Sequence, residues 1–117
     1  STKDGTGVRD YIHVMDLAEG HTRTLDYLKQ NKPMNITMNI GTSKGTTVLE
    51  LIETFQKVNN IDIPHFFEPR REGDVARLVA DNSLLKKTLN WLPKRSLEEM
   101  CIDGWRWQLL NPYGFEK

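Results

Sequence analysis

The sequence of 117 residues contains one cysteine, no excess of either charge and no long apolar run. A single cysteine cannot form a disulfide within the chain or build a cysteine-rich metal site. Sixteen basic and sixteen acidic side chains cancel, whereas a nucleic-acid-binding module carries a clear excess of lysine and arginine. No apolar run approaches the roughly 20 residues that span a bilayer, and the first residues lack the regions of a signal peptide. We therefore expect a cytoplasmic protein that binds neither nucleic acid nor membrane.

Four segments carry the apolar spacing of helices, and three of them begin with a polar residue followed three positions later by glutamate. These capping pairs are Asp16 with Glu19, Thr47 with Glu50 and Ser96 with Glu99. The first helix should run from about Leu17 to Gln30, the second from Val48 to about Val58, and the last from Ser96 to Leu110. A shorter helix is expected over Asn82–Leu89, with Asp81 or Ser83 as its cap.

Strand signals are few. Apolar and polar residues alternate over Ile36–Ile40, and shorter strands are predicted over Ile63–Glu68 and Leu78–Ala80. The resulting fold class is α/β (mixed α+β), with a few short strands packed by about four helices. So few strands make a poor sheet unless another part of a larger protein completes it, which indicates a piece of something bigger.

Several partial motifs fail on context. Gly5–Asp10 begins like a dinucleotide fingerprint, but Asp10 stands in place of the third glycine and no predicted strand precedes it. In Gly41–Thr47 the lysine precedes the second glycine, so a strand-to-helix turn is favoured over a phosphate loop. Tyr113 and Lys117 have the spacing of a dehydrogenase catalytic pair, but Pro112 and Gly114 exclude the helix it needs. The three histidines lie far apart, so no metal site and no catalytic residue are assigned.

One charged loop, Arg70–Asp74, carries more specific chemistry. Guanidinium groups match phosphate oxygens in pairs, glycine lets the backbone approach a ligand, and aspartate accepts from ribose hydroxyls. Arg9 precedes an apolar stretch elsewhere in the chain. Loops are commonly charged, so the residues alone leave open a solvated loop as well as a nucleotide site.

Five segments resemble the UDP-glucose 4-epimerase family of extended short-chain dehydrogenase/reductases, in the family's order along the whole chain. These segments are Asp4–Ala18, Pro69–Asp74, Ser96–Met100, Trp105–Gln108 and Asn111–Phe115. The family has an amino-terminal doubly wound NAD-binding domain and a smaller carboxyl-terminal domain that binds UDP-sugars. The resemblance implies that residues 1–117 form only the second of these, with the NAD-binding domain and its catalytic tyrosine outside the chain.

The resemblance also implies a reaction for the parent enzyme. NAD takes a hydride from C4 of UDP-glucose or UDP-galactose and returns it to the other face of the 4-keto sugar. Binding energy is concentrated on the nucleotide, because the hexose must turn over in the pocket. NAD is therefore expected in the parent enzyme and none bound to this chain, and weak binding of UDP-sugars at best.

Site residues follow from the resemblance position by position. Arg9 and Arg71 match positions that contact the diphosphate and the neighbouring ribose, and Asp74 matches the uridine ribose ligand. Glu72 and Gly73 line the same loop.

Two further positions complete the expected pocket. Tyr11 matches a pocket tyrosine. Leu78 matches a position that gates sugar size, where the family has a bulky tyrosine or a small cysteine; leucine differs from both and leaves acceptance of N-acetylated hexoses open.

Two other functions stay open. One is a related nucleotide-sugar dehydratase or decarboxylase, although the arginine loop and the tryptophan-rich helix fit the epimerases better. The other is a truncated, non-catalytic module that binds nucleotide-sugars or partners. An exposed apolar face would favour the second of these, and such a face could also drive non-native self-association.

Overall fold

A computed structural model describes residues 2–115 as four helices around a small three-stranded sheet. The elements in chain order are β1 (Val8–Arg9), α1 (Val14–Gln30), β2 (Thr46–Thr47), α2 (Val48–Asn59), β3 (Arg77–Leu78), α3 (Ser83–Leu89) and α4 (Leu97–Leu110). The predicted mixed α/β class with about four helices is confirmed. Within residues 2–115, no helix has the length and apolar character needed to cross a membrane.

The sheet is minimal, with β1 in the middle. It pairs antiparallel with β2, where Val8 lies opposite Thr47, and parallel with β3, where Arg9 lies opposite Leu78. Each strand has two residues, too few to show an alternating pattern, which is why the sequence did not predict β1 and β2. The predicted strand Leu78–Ala80 is correct only at Leu78.

Two predicted strands are wrong in the described chain. Residues 36–40 keep the expected alternation of half-buried and exposed side chains, but they are not part of the sheet. Residues 63–68 are irregular and mostly exposed. Alternation reports that one side of an extended segment is covered, and it says nothing about whether a second strand lies beside it.

Helix starts were predicted well where the cap is local. Thr47 and Glu50 form a complete capping box at α2, and Ser96 with Glu99 forms another at α4. The predicted cap of α3, Asp81 or Ser83, is wrong: the helix begins at Ser83, one residue later than expected, and its N-cap is Asn82, which makes no side-chain capping hydrogen bond. The Asp81 carboxylate precedes the cap and accepts hydrogen bonds from the Ser83 amide at 2.9 Å and from the Ser83 hydroxyl.

The predicted cap of α1 is wrong. The helix begins at Val14, and His13 caps it, its Nδ1 accepting from the Met15 amide at 3.0 Å. Asp16 lies inside the helix and is fully buried. Its Oδ2 accepts from the Arg95 amide at 2.8 Å and the Lys94 amide at 3.1 Å, and its Oδ1 binds the Arg95 guanidinium at 2.5 Å. Asp16 therefore does not cap its own helix. Its carboxylate binds donors of a distant segment, residues 94–95.

The pKa of Asp16 reflects this environment. Burial by itself would raise the pKa, but the hydrogen bonds from the Arg95 and Lys94 amides and from the Arg95 guanidinium outweigh it, so the pKa lies below its ordinary value. The carboxylate thus remains charged and joins α1 to the segment that leads into α4.

Apolar packing is sparse. The buried hydrophobic side chains of the described residues are Val8, Leu85, Trp91 and Cys101. Helices α2 and α4 pack against each other, with the Phe55 and Trp105 rings edge to face at a centroid distance of 6.0 Å. Hydrogen bonds between distant segments therefore hold much of this fold together.

Replacement of Asp16 by alanine should lower the free energy of unfolding by about 3 kcal/mol, because it leaves a guanidinium and two amides without their shared acceptor. The carboxylate's contribution is present above the unfolded-state pKa of about 4 and is lost as the pH falls through the lower folded-state value. The difference between Asp16→Ala and wild type should therefore shrink in acid. Urea unfolding at pH 7 and pH 3 measures both effects.

Glu19→Gln is the control, because Glu19 binds the same guanidinium from a half-exposed position. Glu19→Gln should lower the free energy of unfolding by much less than Asp16→Ala does. Equal losses for the two variants would show that burial of Asp16 is not the source of the stability.

Candidate functional site

The side chain of Arg9 is tied to the segment that precedes β3. Its Nη1 donates to the carbonyl oxygens of Val8 at 2.8 Å and Val75 at 3.1 Å, and the Val8 amide donates to the Ala76 carbonyl at 2.9 Å. Arg9 also lies opposite Leu78 in the sheet. The structure thus brings Arg9 from the start of the chain to the base of the charged loop.

The loop itself is a turn organised around Asp74. The Arg71 Nε donates to the Asp74 carboxylate at 2.9 Å, and the Arg70 guanidinium donates to the Asp74 carbonyl at 2.5 Å. Gly73 has a φ of +83°, and a Cβ there would meet nothing within 4 Å, so the backbone conformation is what favours glycine. The Arg71 side chain is 85% exposed, which leaves its guanidinium accessible to a ligand.

The remaining predicted residues are placed differently. Glu72 is exposed on the same turn, and Leu78 is 62% exposed on β3 beside Arg9. Tyr11 lines a separate cleft between residues 42–46 and residues 93–100. Among the described residues that line this cleft, Tyr11 is the only predicted site residue. The structure therefore gathers Arg9, Leu78 and the loop at one end of the sheet and sets Tyr11 apart from them.

Asp10, next to Arg9, is the residue that the sequence analysis missed. Its Oδ1 accepts from the Thr42 amide at 2.9 Å and from the Thr42 hydroxyl at 2.5 Å. Its Oδ2 accepts from the Ser43 amide at 2.9 Å and from the Ala80 amide at 3.3 Å. The donors lie 32 to 70 residues away, so no local pattern could have revealed the contact. Asp10 holds the ends of β1 and β3 together and so fixes Arg9 beside the loop.

Gly41 makes this arrangement possible. A Cβ at this position would lie 2.6 Å from the Ala80 Cβ and 2.8 Å from the Asp10 Oδ2, closer than atoms can approach. The Gly41–Thr47 segment therefore serves the Asp10 contact and the cap of α2. It leads into a helix as predicted, but in the described chain no strand directly precedes it, because residues 36–40 are not part of the sheet.

The glycine-rich segment near the amino terminus has a similar structural role. Asp4 accepts from the Thr47 hydroxyl at 2.5 Å and from the Thr6 amide at 2.9 Å. These hydrogen bonds, that of Thr47 first, hold the pKa of Asp4 below its ordinary value. The segment precedes β1, and a dinucleotide fingerprint would have to follow a strand. Of the Tyr113–Lys117 pair, Lys117 lies outside the described residues.

Metal ligation finds no support among residues 2–115, where no three His, Cys, Asp or Glu side chains lie close enough together to hold an ion. His13 is buried, and because its Nδ1 accepts from Met15, its Nε2 carries the proton and donates to Asp103 at 3.0 Å. This histidine therefore joins α1 to α4.

Asp10→Ala should release the three amides that its carboxylate binds. Loss of a hydrogen bond worth about 1.4 kcal/mol corresponds to about tenfold faster amide exchange, so the Thr42, Ser43 and Ala80 amides should exchange about tenfold faster. The Val8 amide, which donates to the Ala76 carbonyl, should also exchange faster. Asp62→Ala, at an exposed position, is the control, and NMR hydrogen exchange is the measurement. Unchanged exchange at Ala80 would contradict the role given to Asp10.

Comparison with known proteins shows the family to which the chain belongs. Residues 1–103 match the family described as GDP-mannose 4,6 dehydratase. UDP-glucose 4-epimerase of Bacillus subtilis is 50% identical over 115 residues, which are 98% of this chain and 34% of that protein. The chain thus spans about a third of the length of the curated relatives it matches.

Solved structures give the same result. The UDP-glucose 4-epimerase from Bifidobacterium longum, in complex with NAD+ and UDP, superimposes with a TM-score of 0.91 at 43% identity, over 98% of this chain and 34% of that one. The enzyme from Stenotrophomonas maltophila, with bound NAD and formylated UDP-arabinopyranose, gives 0.89 at 45% identity, over 93% and 32%. The resemblance to epimerases is confirmed: the chain belongs to the family described as GDP-mannose 4,6 dehydratase, and curated relatives that are 45 to 50% identical to it are UDP-glucose 4-epimerases.

Proposed function

We propose that residues 1–117 form the UDP-sugar-binding domain of an NAD-dependent UDP-glucose 4-epimerase. The parent enzyme would interconvert UDP-glucose and UDP-galactose through a 4-keto intermediate, in cytoplasmic galactose metabolism. The observation that carries the proposal is the hydrogen bond from Arg9 to the Val75 carbonyl, which sets a third guanidinium beside those of Arg70 and Arg71 in the Arg70–Asp74 loop. Support also comes from the relatives that are epimerases and from the neighbour solved with UDP.

Each residue near the loop has a role that fits its chemistry. Arg9 and Arg71 would bind the diphosphate, because guanidinium groups pair with phosphate oxygens in a planar fork. Asp74 would accept from the ribose hydroxyls, and the exposed Glu72 and Gly73 would line the nucleotide. Exposed ion pairs are weak, so the Arg71–Asp74 pair can open at little cost when a ligand supplies better partners.

The hexose would lie next to β3. Leu78 is exposed beside Arg9, so its side chain can limit the size of the sugar that follows the diphosphate. Tyr11 lines a separate cleft, so its assignment to the wall of the pocket rests on the resemblance to the family.

An NAD site does not fit the described residues. A dinucleotide requires a glycine-rich turn that follows a strand and opens a helix, whereas the Gly5–Gly7 turn precedes β1 and the Gly41 turn is filled by Asp10. We therefore assign the hydride transfer and the catalytic tyrosine to the rest of the parent enzyme. We assign binding of the nucleotide to this chain.

A dehydratase is the second candidate, because the matching family is described as a GDP-mannose 4,6 dehydratase. The curated relatives at 45 to 50% identity are epimerases, which favours epimerisation. Exposed apolar side chains on α1 and α4 agree with a non-catalytic interaction module, and equally with a domain that packs against the rest of a larger enzyme.

UDP should bind the isolated chain weakly, with a Kd of about 1 mM, because the isolated chain lacks the partner domain that would preorganise the site. NMR titration of labelled protein should shift the amides of Arg9 and of residues 70–75 together. Arg71→Ala should abolish these shifts, whereas Arg106→Ala, which removes an exposed arginine from α4, should leave them unchanged. Shifts that survive Arg71→Ala, or that cluster away from Arg9, would contradict the proposed site.

The isolated chain should show no conversion of UDP-glucose to UDP-galactose with added NAD, because we assign the cofactor site and the catalytic tyrosine to the rest of the parent enzyme. A coupled assay on the pure chain, with an intact epimerase as the positive control, tests this. Turnover that copurifies with the chain and scales with its concentration would refute the assignment of hydride transfer to the rest of the parent enzyme.

A further inference from the structure

The backbone conformation of Gly7 does not require glycine. Gly5, Gly73 and Gly114 have positive φ values, which favour glycine because it has no Cβ. The φ of Gly7 lies outside that range, so an alanine would fit the backbone at this position. The reason for a glycine at residue 7 must therefore lie in the atoms around it.

The atoms nearest to Gly7 belong to the guanidinium of Arg9. A Cβ at residue 7 would lie 3.1 Å from Nη1, 3.4 Å from Cζ and 3.5 Å from Nη2 of Arg9. The first of these distances is shorter than the roughly 3.5 Å of ordinary contact. A side chain at residue 7 would thus occupy the space against which the guanidinium lies.

The backbone at Gly7 is held on both sides. Its carbonyl accepts from the Val48 amide at 3.1 Å, at the start of α2. The amide of the preceding residue, Thr6, donates to the Asp4 carboxylate at 2.9 Å. Because these hydrogen bonds fix the backbone, the flexible arginine side chain is the group that would move if a Cβ were added.

The present position of the Arg9 guanidinium determines which of its donors a ligand can reach. Nη1 donates to the carbonyl oxygens of Val8 at 2.8 Å and Val75 at 3.1 Å, two acceptors for its two hydrogens. Among the described residues, Nε and Nη2 of Arg9 find no acceptor. These two atoms form one edge of the guanidinium, and their N–H groups match a pair of phosphate oxygens. The half-buried side chain therefore keeps this edge for a ligand.

We propose that Gly7 is a positioning residue for Arg9. The missing side chain lets the guanidinium lie against the main chain, where the two carbonyl oxygens hold Nη1 and the Nε–Nη2 edge stays free for a diphosphate. An alanine methyl would push the guanidinium off the carbonyls, and each binding event would then have to order it again at a cost in affinity. This inference rests on the proposed function, since the ligand is the diphosphate of a UDP-sugar.

NMR titration of Gly7→Ala with UDP tests this role. Well below saturation, the shift of the Asp74 amide per UDP added is inversely proportional to the Kd. It should fall about tenfold, as for the loss of one hydrogen bond to a charged group. Gly104→Ala is the matched control, because a Cβ there would meet nothing within 4 Å, and it should bind UDP as wild type does. In an Arg9→Ala background, Gly7→Ala should have no further effect.

The guanidinium can also be followed without a ligand. In wild type, the Arg9 guanidinium should rotate about its Nε–Cζ bond more slowly than that of Arg106, an exposed arginine of α4, because two carbonyls hold Nη1. Gly7→Ala should bring the two rates together. NMR of the arginine side-chain nitrogens measures both rates. Rotation in wild type as fast as that of Arg106 would overturn the role of Gly7, and this measurement needs no variant.

The two measurements separate the role of Gly7 from the proposed function. UDP shifts that Gly7→Ala leaves at their wild-type size would overturn the positioning role and leave the function intact. An equal loss of affinity in the Arg9→Ala background would show that Gly7 acts through the fold, and would overturn the role as well. A guanidinium that Gly7→Ala releases, in a chain that UDP does not shift, would support the role of Gly7 and count against the function.

Discussion

The carboxylate of Asp10 joins three segments that the strands alone could not hold. Two-residue strands contribute few ladder hydrogen bonds, and an isolated pair of short strands is marginal in water. Asp10 adds acceptors for the amides of Thr42, Ser43 and Ala80 at the point where β1 ends. The position of Arg9 beside the charged loop therefore depends on a neighbour that does not itself face the proposed ligand.

Two other carboxylates join distant segments in the same way. Asp4 joins the amino-terminal turn to Thr47 at the start of α2, and Asp16 joins α1 to the segment before α4. Each carboxylate accepts hydrogen bonds from a segment more than 40 residues away. Because few large apolar side chains are buried, these polar contacts determine which segments meet. Directional hydrogen bonds fix geometry more sharply than apolar contact, which suits a site built from loops.

Sequence patterns predicted the parts of this fold that are set locally. The capping boxes at Thr47 and Ser96 were recognised because donor and acceptor lie three residues apart. Asp16 was misassigned because the same residue type satisfies a local cap or a distant segment, and spacing does not distinguish the two. The loop residues came from resemblance to a family; from chemistry alone, Arg70–Asp74 remained indistinguishable from a solvated loop. Asp10 had no local signal at all.

Cys101 has a practical consequence for this protein. Its side chain is buried in α4, and burial, aided by the nearby Glu98, raises the pKa of its thiol. Since the thiolate is the form that reacts, the native cysteine is a poor target for alkylating reagents. Cysteines introduced in pairs at exposed positions, of which Thr37 is one, can therefore carry two fluorophores or two spin labels without first removing Cys101. Distances between the labelled positions then become measurable in an otherwise native background.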